Sequence, residues 1–159
     1  RIQYRFEEAI VEYDAALREN ANYAWAETEI GWTKSFIGRA AEAIPHFERA
    51  MRLSPRDPSI FLNYFGVGYV HFELGDYDKA IEPLRRATGF NPNFSWSQLI
   101  LTASLATLER MDEARATLAA YFRTNPVGKT LADVRANLVT DRLAQGPLFD
   151  ALRRAGMPE

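Results

Sequence analysis

Few residues in this sequence could take part in chemistry. It contains no cysteine and only two histidines, His46 and His71, which fall on different predicted helices. A metal site needs several ligands that converge at a fixed geometry, and no cluster of carboxylates accompanies either histidine. We therefore expect both to be partly buried or surface histidines. The absence of cysteine excludes a disulfide framework and a thiol nucleophile.

Two glycine-containing segments resemble nucleotide-binding motifs only superficially. The tripeptide GKT at 128–130 would need a glycine five residues before Gly128, and Arg123 occupies that position. The tripeptide GVG at 66–68 lacks the third glycine of a dinucleotide-binding motif and lies inside a helical period. The sequence also offers no convincing serine–histidine–acid set. We predict a non-enzymatic segment with no catalytic residue, no cofactor and no metal.

The composition indicates one globular domain of ordinary size. Of the 159 residues, 47% are hydrophobic and 25% are charged, and the net charge is only −2. Basic and acidic residues are interleaved, so we expect no nucleic acid as a partner. The longest apolar stretches are interrupted by Glu, Gly or Asn, so we expect no membrane contact. The lack of cysteine suits a reducing compartment, and we predict a cytoplasmic location.

The chain repeats one helical pattern. The stretch GRAAEAIPHFERAMRLSP at 38–55 matches GDYDKAIEPLRRATGFNP at 75–92, and weaker copies begin near Phe6 and Met111. Small and apolar residues recur at i, i+1, i+4, i+7 and i+8, which places them along one stripe of a helix. Each copy ends at a turn that contains proline or asparagine. The period is 34 to 37 residues, the size of a pair of helices.

A second helix is predicted before each of the last three copies, over 24–37, 59–74 and 95–109. Gly31 and Gly68 fall in the middle of two of them, where glycine costs about 1 kcal/mol relative to alanine. A helix tolerates that cost where another backbone comes close. We therefore expect tight helix–helix contacts at these two glycines.

The spacing of Gly68, Gly75, Tyr77, Ala80 and Pro92 resembles the tetratricopeptide repeat, a helix–turn–helix unit of about 34 residues. The resemblance implies a single all-α domain, a right-handed α-solenoid with C-terminal capping helices. It divides the chain into a half repeat (1–23), three full repeats (24–57, 58–94 and 95–128) and C-terminal helices (129–159). Three residues depart from the family pattern: Glu27, Lys34 and Glu109.

A narrower resemblance concerns residues 52–81 and the ending LFDALRRAGMPE at 148–159. These stretches are similar to C-terminal tetratricopeptide regions of bacterial multidomain signalling proteins. Those arrays follow a class III adenylate or guanylate cyclase domain or a winged-helix DNA-binding domain. The resemblance implies a segment of a larger bacterial regulator, with any cyclase activity outside these 159 residues.

One face of each predicted first helix is apolar and rich in aromatic residues. In a right-handed stack these faces line the concave surface, which predicts a groove for an apolar or amphipathic helix or peptide of a partner protein. The predicted groove residues are Trp25, Trp32, Phe36, Leu62, Phe65, Tyr69, Phe72, Trp96 and Leu99. The alternative is a homo-oligomerisation module, in which the chain's own C-terminal helix or a second protomer covers the same face.

The C-terminal region supplies a candidate for that cover. A helix is predicted near Thr130 to Leu138, and a last one between Pro147 and Gly156. Proline is common in the first turn of a helix, and glycine is common just after its last turn. The first of these helices is expected to cap the array. The last one has three options: to cap, to fold back over the groove, or to dock on a second copy in a homodimer.

Overall fold

A computed structural model of the chain describes residues 2–138 and 141–159. Residues 1, 139 and 140, which fall in the predicted half repeat and the predicted C-terminal region, lie outside the described residues. The described part is helical and contains no strand. Its helices are α1 (Ile2–Glu19), α2 (Ala24–Phe36), α3 (Ala40–Leu53), α4 (Ile60–Glu73), α5 (Tyr77–Phe90), α6 (Ser95–Thr107), α7 (Met111–Thr124), α8 (Leu131–Ala136), α9 (Asp141–Gln145) and α10 (Leu148–Ala155).

Helices α2 to α7 form three antiparallel hairpins: α2 with α3, α4 with α5, and α6 with α7. Each hairpin also packs against the next, through α3 with α4 and through α5 with α6, while α1 packs against α2. This is a right-handed α-solenoid with C-terminal capping helices, as the sequence predicted.

The three hairpin turns share one backbone conformation. Gly38 and Gly75 have φ of 87° and 79°, in the left-handed region that glycine enters without a steric penalty. Glu109 occupies the same position of the third turn with φ of 60°. In each turn the N–H of the following residue donates to a carbonyl five residues back, for example Arg110 to Leu105. The departure from glycine at residue 109 therefore leaves the turn geometry intact.

The mid-helix glycines make room for bulky side chains. A Cβ built on Gly68 would lie 2.5 Å from the Leu84 Cγ and 3.2 Å from the Ala80 carbonyl oxygen, so here a neighbouring backbone does come close. At Gly31 the nearest atoms belong to the Phe47 ring, 2.7 Å from such a Cβ, and not to a backbone. The expectation of a close backbone is therefore confirmed at Gly68 and corrected at Gly31, where a side chain fills the space.

Gly68→Ala is expected to lower the free energy of unfolding by about 1–2 kcal/mol, because overpacking at Leu84 outweighs the gain in helix propensity. Gly89→Ala is the matched control. Gly89 also lies in a helix, but nothing comes within 4 Å of an added Cβ, so this change should stabilise the protein by up to about 1 kcal/mol. Urea unfolding of both variants checks the pair. Equal shifts in the same direction would contradict this packing.

The C-terminal region packs back on the array. Helix α10 lies mainly against α6, with further contacts to α7, α8 and α9. Helix α8 begins with a capping box between Thr130 and Asp133. Gly156 ends α10 in the left-handed conformation, with φ of 109°, as the sequence predicted. The Leu131 N–H donates to the Pro158 carbonyl at 2.7 Å, which ties the chain's last residues to the start of α8.

Candidate functional site

The first helices of the three hairpins, α2, α4 and α6, contact one another in succession. In a right-handed stack of such hairpins, these helices line the concave face. Because every hairpin reverses the chain, these three helices point in the same direction. Their N-termini therefore lie along one edge of the face and their C-termini along the other. We call these the N-terminal edge and the C-terminal edge, and they differ in what covers them.

An aromatic cluster occupies the middle of the face. The Trp32 ring centroid lies 5.1 Å from that of Phe47, 5.6 Å from Phe65, 5.9 Å from Phe36 and 6.0 Å from Tyr69. The contact with Phe47 is edge-to-face, an arrangement that the ring quadrupole favours. Because these rings come from α2, α3 and α4, the cluster joins two hairpins.

The nine predicted groove residues fall into three classes of exposure. Trp25 is exposed, with 46% of its surface accessible. Four are half-buried: Trp32, Phe36, Leu62 and Trp96. Four are buried: Phe65, Tyr69, Phe72 and Leu99. The part of the face that is open to a ligand is therefore smaller than the predicted stripe.

The N-terminal edge is the open one. Trp25, Leu62 and Trp96 occupy equivalent positions at the starts of α2, α4 and α6, so they form a row across the stack. Trp96 also borders a cavity of about 350 Å³, together with Leu99 and Val134 of α8. The row offers large apolar surface, which is typical of anchor sites for an apolar side chain.

The C-terminal edge is covered by the chain itself. Residues 141–147, which we call the strap, run past the C-termini of α2 and α4. The strap shares a cavity of about 500 Å³ with Phe72 and Tyr77. Further along, Arg154 of α10 donates to the Ala106 carbonyl at 3.0 Å and pairs with Glu109 at 2.5 Å. The last helix thus folds back on the final hairpin.

Glu73 brings a carboxyl group to this covered edge. Burial raises the pKa of Glu73, while a hydrogen bond from the Tyr69 hydroxyl at 2.8 Å and the nearby Arg142 guanidinium both act to lower it. Burial is the largest of these effects. Its carboxyl therefore holds a proton more readily than an exposed glutamate does.

The sequence analysis missed a buried ion-pair cluster between α2 and α3. The Glu27 side chain is only 2% exposed; its Oε2 lies 2.6 Å from His46 Nδ1, and its Oε1 accepts from Arg49 Nη1 at 2.9 Å. The sequence analysis expected no cluster of carboxylates at His46, and it did not predict this single carboxylate partner. The sequence did contain a signal for this cluster. Glu27 stands where the family usually has a large apolar residue, and two residues that can donate to it, His46 and Arg49, lie three residues apart on the next helix.

This cluster is structural. Two donors compensate the buried carboxylate, which would be costly to leave unpaired. The part of the chain that the structure describes holds no group of three His, Cys, Asp or Glu residues placed to bind a metal. Within the same residues, no helix combines the length and apolar content that crossing a membrane requires.

Stacked helical hairpins with small residues at the crossings and left-handed turns define a tetratricopeptide-like repeat protein. Residues 38–121, just over half of the chain, match the family model described as anaphase-promoting complex, cyclosome, subunit 3. The chain belongs to this family.

A curated relative and two solved structures are similar to the chain. The Hsp70-Hsp90 organizing protein of Triticum aestivum is 25% identical over 150 residues, which are 93% of this chain but only 25% of that protein. The chain thus spans about a quarter of this relative's length. YrrB, described as a TPR protein with an unusual peptide-binding site, is 23% identical with a TM-score of 0.67, covering 96% of this chain and 77% of YrrB. MamA is 19% identical with a TM-score of 0.71, covering 98% of this chain and 89% of MamA. Both structural likenesses concern the fold.

Proposed function

We propose that the chain is a non-catalytic protein–protein interaction module that binds an apolar or amphipathic segment of a partner protein on its concave face. The observation that carries this proposal is the row at the N-terminal edge, where Trp25 is exposed beside Leu62. A large exposed aromatic side chain next to a packed aromatic cluster is typical of a binding anchor. The similarity to YrrB, a TPR protein with a peptide-binding site, and to the Hsp70-Hsp90 organizing protein of Triticum aestivum supports a role in binding proteins.

The apolar character of the row sets the class of partner. Its three positions carry tryptophan, leucine and tryptophan, so a bound segment gains most by burying apolar side chains against them. We propose that the partner presents an extended peptide or one face of an amphipathic helix, with anchors that reach Trp25, Trp96 and the half-buried Trp32 between the two edges.

Trp25→Ala tests the row with little risk to the fold, because the side chain is largely exposed. Peptides selected by the unaltered chain from a random twelve-residue library serve as ligands. We expect Trp25→Ala to weaken their binding by roughly 30-fold, about 2 kcal/mol, as loss of a central aromatic anchor does. Isothermal titration calorimetry measures the change.

Phe90→Ala is the matched control. Phe90 is also a largely exposed aromatic residue, but it lies at the end of a second helix and stacks on Tyr64. Its replacement should change peptide affinity less than about twofold. Unchanged affinity for Trp25→Ala, or equal losses for the two variants, would contradict binding at the row.

A second candidate function is packing alone, in which the whole aromatic face is internal. The covered C-terminal edge, where Phe72 is only 3% exposed, favours this alternative for that part of the face. If it held for the entire face, Trp25→Ala would lower the melting temperature, and the chain would select no peptide that competes for the row. Light scattering of the unaltered chain would then show a dimer, with a second protomer on the N-terminal edge.

We also propose that the module acts inside a larger bacterial regulator in the cytoplasm. The resemblance of residues 52–81 and 148–159 to arrays of that kind supports this context. In such a protein the module would recruit a partner while another domain carries the activity. The sequence of the full-length gene product tests this context directly.

A further inference from the structure

The cavity under the strap lies where two helices end. Its walls include Gly38, just after α2, and Glu73 and Gly75 at the end of α4. The C-terminus of a helix carries a partial negative charge because its last carbonyls lack helical partners. Two such ends give this corner of the concave face a negative potential, which favours a cationic group.

Arg142 of the strap places a cation there. Its guanidinium donates to the Phe36 carbonyl at 2.9 Å and approaches the Ser35 carbonyl at 3.5 Å. Both carbonyls belong to the last turn of α2. The guanidinium also lies 3.4 Å from where a Cβ at Gly38 would be, at van der Waals distance from the turn that follows α2.

The next residue fills the apolar part of the same cavity. Leu143 is buried, and it lines the cavity together with Phe72 and Tyr77. The strap thus places a cationic side chain on the end of α2 and the next, apolar side chain in the cavity that Phe72 and Tyr77 line. Arg142 itself remains exposed to solvent, so a competing segment can reach the position that it occupies.

We propose that the strap is an internal ligand, and that the C-terminal edge binds a partner segment in which an arginine precedes a large apolar residue. Such a segment would replace Arg142 and Leu143 on the carbonyls of α2 and against Phe72. This inference rests on the proposed function, because it names the chemistry of a partner at the second edge of the same concave face. It makes binding at this edge a competition between a tethered ligand and a free one.

The test uses the full chain and a fluorescent peptide, acetylated and amidated, that copies residues 141–147 (DRLAQGP). Arg142→Ala removes the chain's own guanidinium, so it should bind this peptide at least tenfold more tightly than the unaltered chain does. The control Arg153→Ala removes another exposed arginine, which pairs with Glu159, and should bind like the unaltered chain. The peptide DALAQGP, which lacks the arginine, should bind at least tenfold more weakly to Arg142→Ala.

Equal binding of the two peptides, or equal binding by the unaltered chain and Arg142→Ala, would overturn the inference. If Arg142→Ala does not fold, amide hydrogen exchange of the unaltered chain provides the test of the inference. Saturating DRLAQGP should then accelerate exchange within residues 141–147 and leave α10 unchanged. Absence of that acceleration would overturn the inference equally.

Failure of this inference can be told apart from failure of the proposed function. Trp25 lies eleven residues before Phe36 on α2, about 16 Å along the helix axis, so Trp25→Ala should leave DRLAQGP binding unchanged. If only the predicted effect of Trp25→Ala on library-selected peptides is absent, the proposed binding at the row is contradicted. If only the predicted effects with DRLAQGP are absent, the inference about the strap is contradicted.

Discussion

Replacing Phe47 by alanine is expected to lower the free energy of unfolding by about 3–5 kcal/mol, the range for a fully buried phenylalanine. The Phe47 ring is inaccessible to solvent and lies between two glycines of neighbouring hairpins. A Cβ at Gly31 would lie 2.7 Å from this ring, and a Cβ at Gly66 would lie 2.6 Å from it. Both helices have glycine where they contact the ring. Removal of the ring therefore leaves a cavity that no neighbouring side chain can fill.

Urea unfolding followed by circular dichroism measures this loss. Phe90→Ala removes the same number of atoms from a residue that is 58% exposed, so its effect should stay within about 0.5 kcal/mol. Losses of similar size for the two variants would contradict the position assigned to Phe47 at the junction of two hairpins.

The sequence predicted the residues of this junction but not the junction itself. Phe47 falls on the repeating stripe, and its burial followed from the helical period. Gly66 stood out in the sequence only as part of the tripeptide GVG at 66–68, and its contact with Phe47 was not predicted. Contacts between successive hairpins depend on how the hairpins stack, and the period of a single helix carries no information about that.

The second large effect is expected at the C-terminus. Leu152→Ala should lower the free energy of unfolding by about 2–5 kcal/mol, because Leu152 is fully buried in α10, the helix that packs against α6. Arg153→Ala changes the adjacent, exposed position and should have an effect below about 0.5 kcal/mol. Thermal and urea unfolding of both variants test this. Equal stability of Leu152→Ala and the unaltered chain would show that α10 is not part of the folded core.

The ends of this last helix were predictable, but its docking site was not. Pro147 and Gly156 mark the start and the end of α10 through local backbone preferences. Three positions for the helix remained open from the sequence: capping, folding back over the groove, and docking on a second copy. The choice among them depends on long-range packing against α6, which leaves no periodic signature in the sequence.

The exposure of the predicted groove residues also could not be predicted from the sequence. Helical register placed all nine side chains on the first helices, yet Phe72 and Leu99 are buried while Trp25 is exposed. The strap and α8 account for part of this difference, because each lines a cavity with one of the two buried residues. Coverage by a distant segment cannot be inferred from the helix that it covers.

Glu27 illustrates a departure from the family pattern that has a structural reason. Taken alone, a glutamate at an apolar position indicates a blurred repeat. Its partners, His46 and Arg49, lie 19 and 22 residues further along the chain. A charged residue at a core position of a repeat therefore indicates a compensating partner on the neighbouring helix, which can be sought at positions facing it.

The chain's tryptophans allow the most direct test of the concave face as the binding site. It has only three, Trp25, Trp32 and Trp96, and all three lie among the predicted groove residues. Their indole N–H signals in a nitrogen-15 correlation spectrum therefore report on this face alone. A library-selected peptide should shift the Trp25 and Trp96 signals with the affinity that calorimetry measures. If all three signals stay fixed when the peptide saturates the protein, partner binding on the concave face is contradicted.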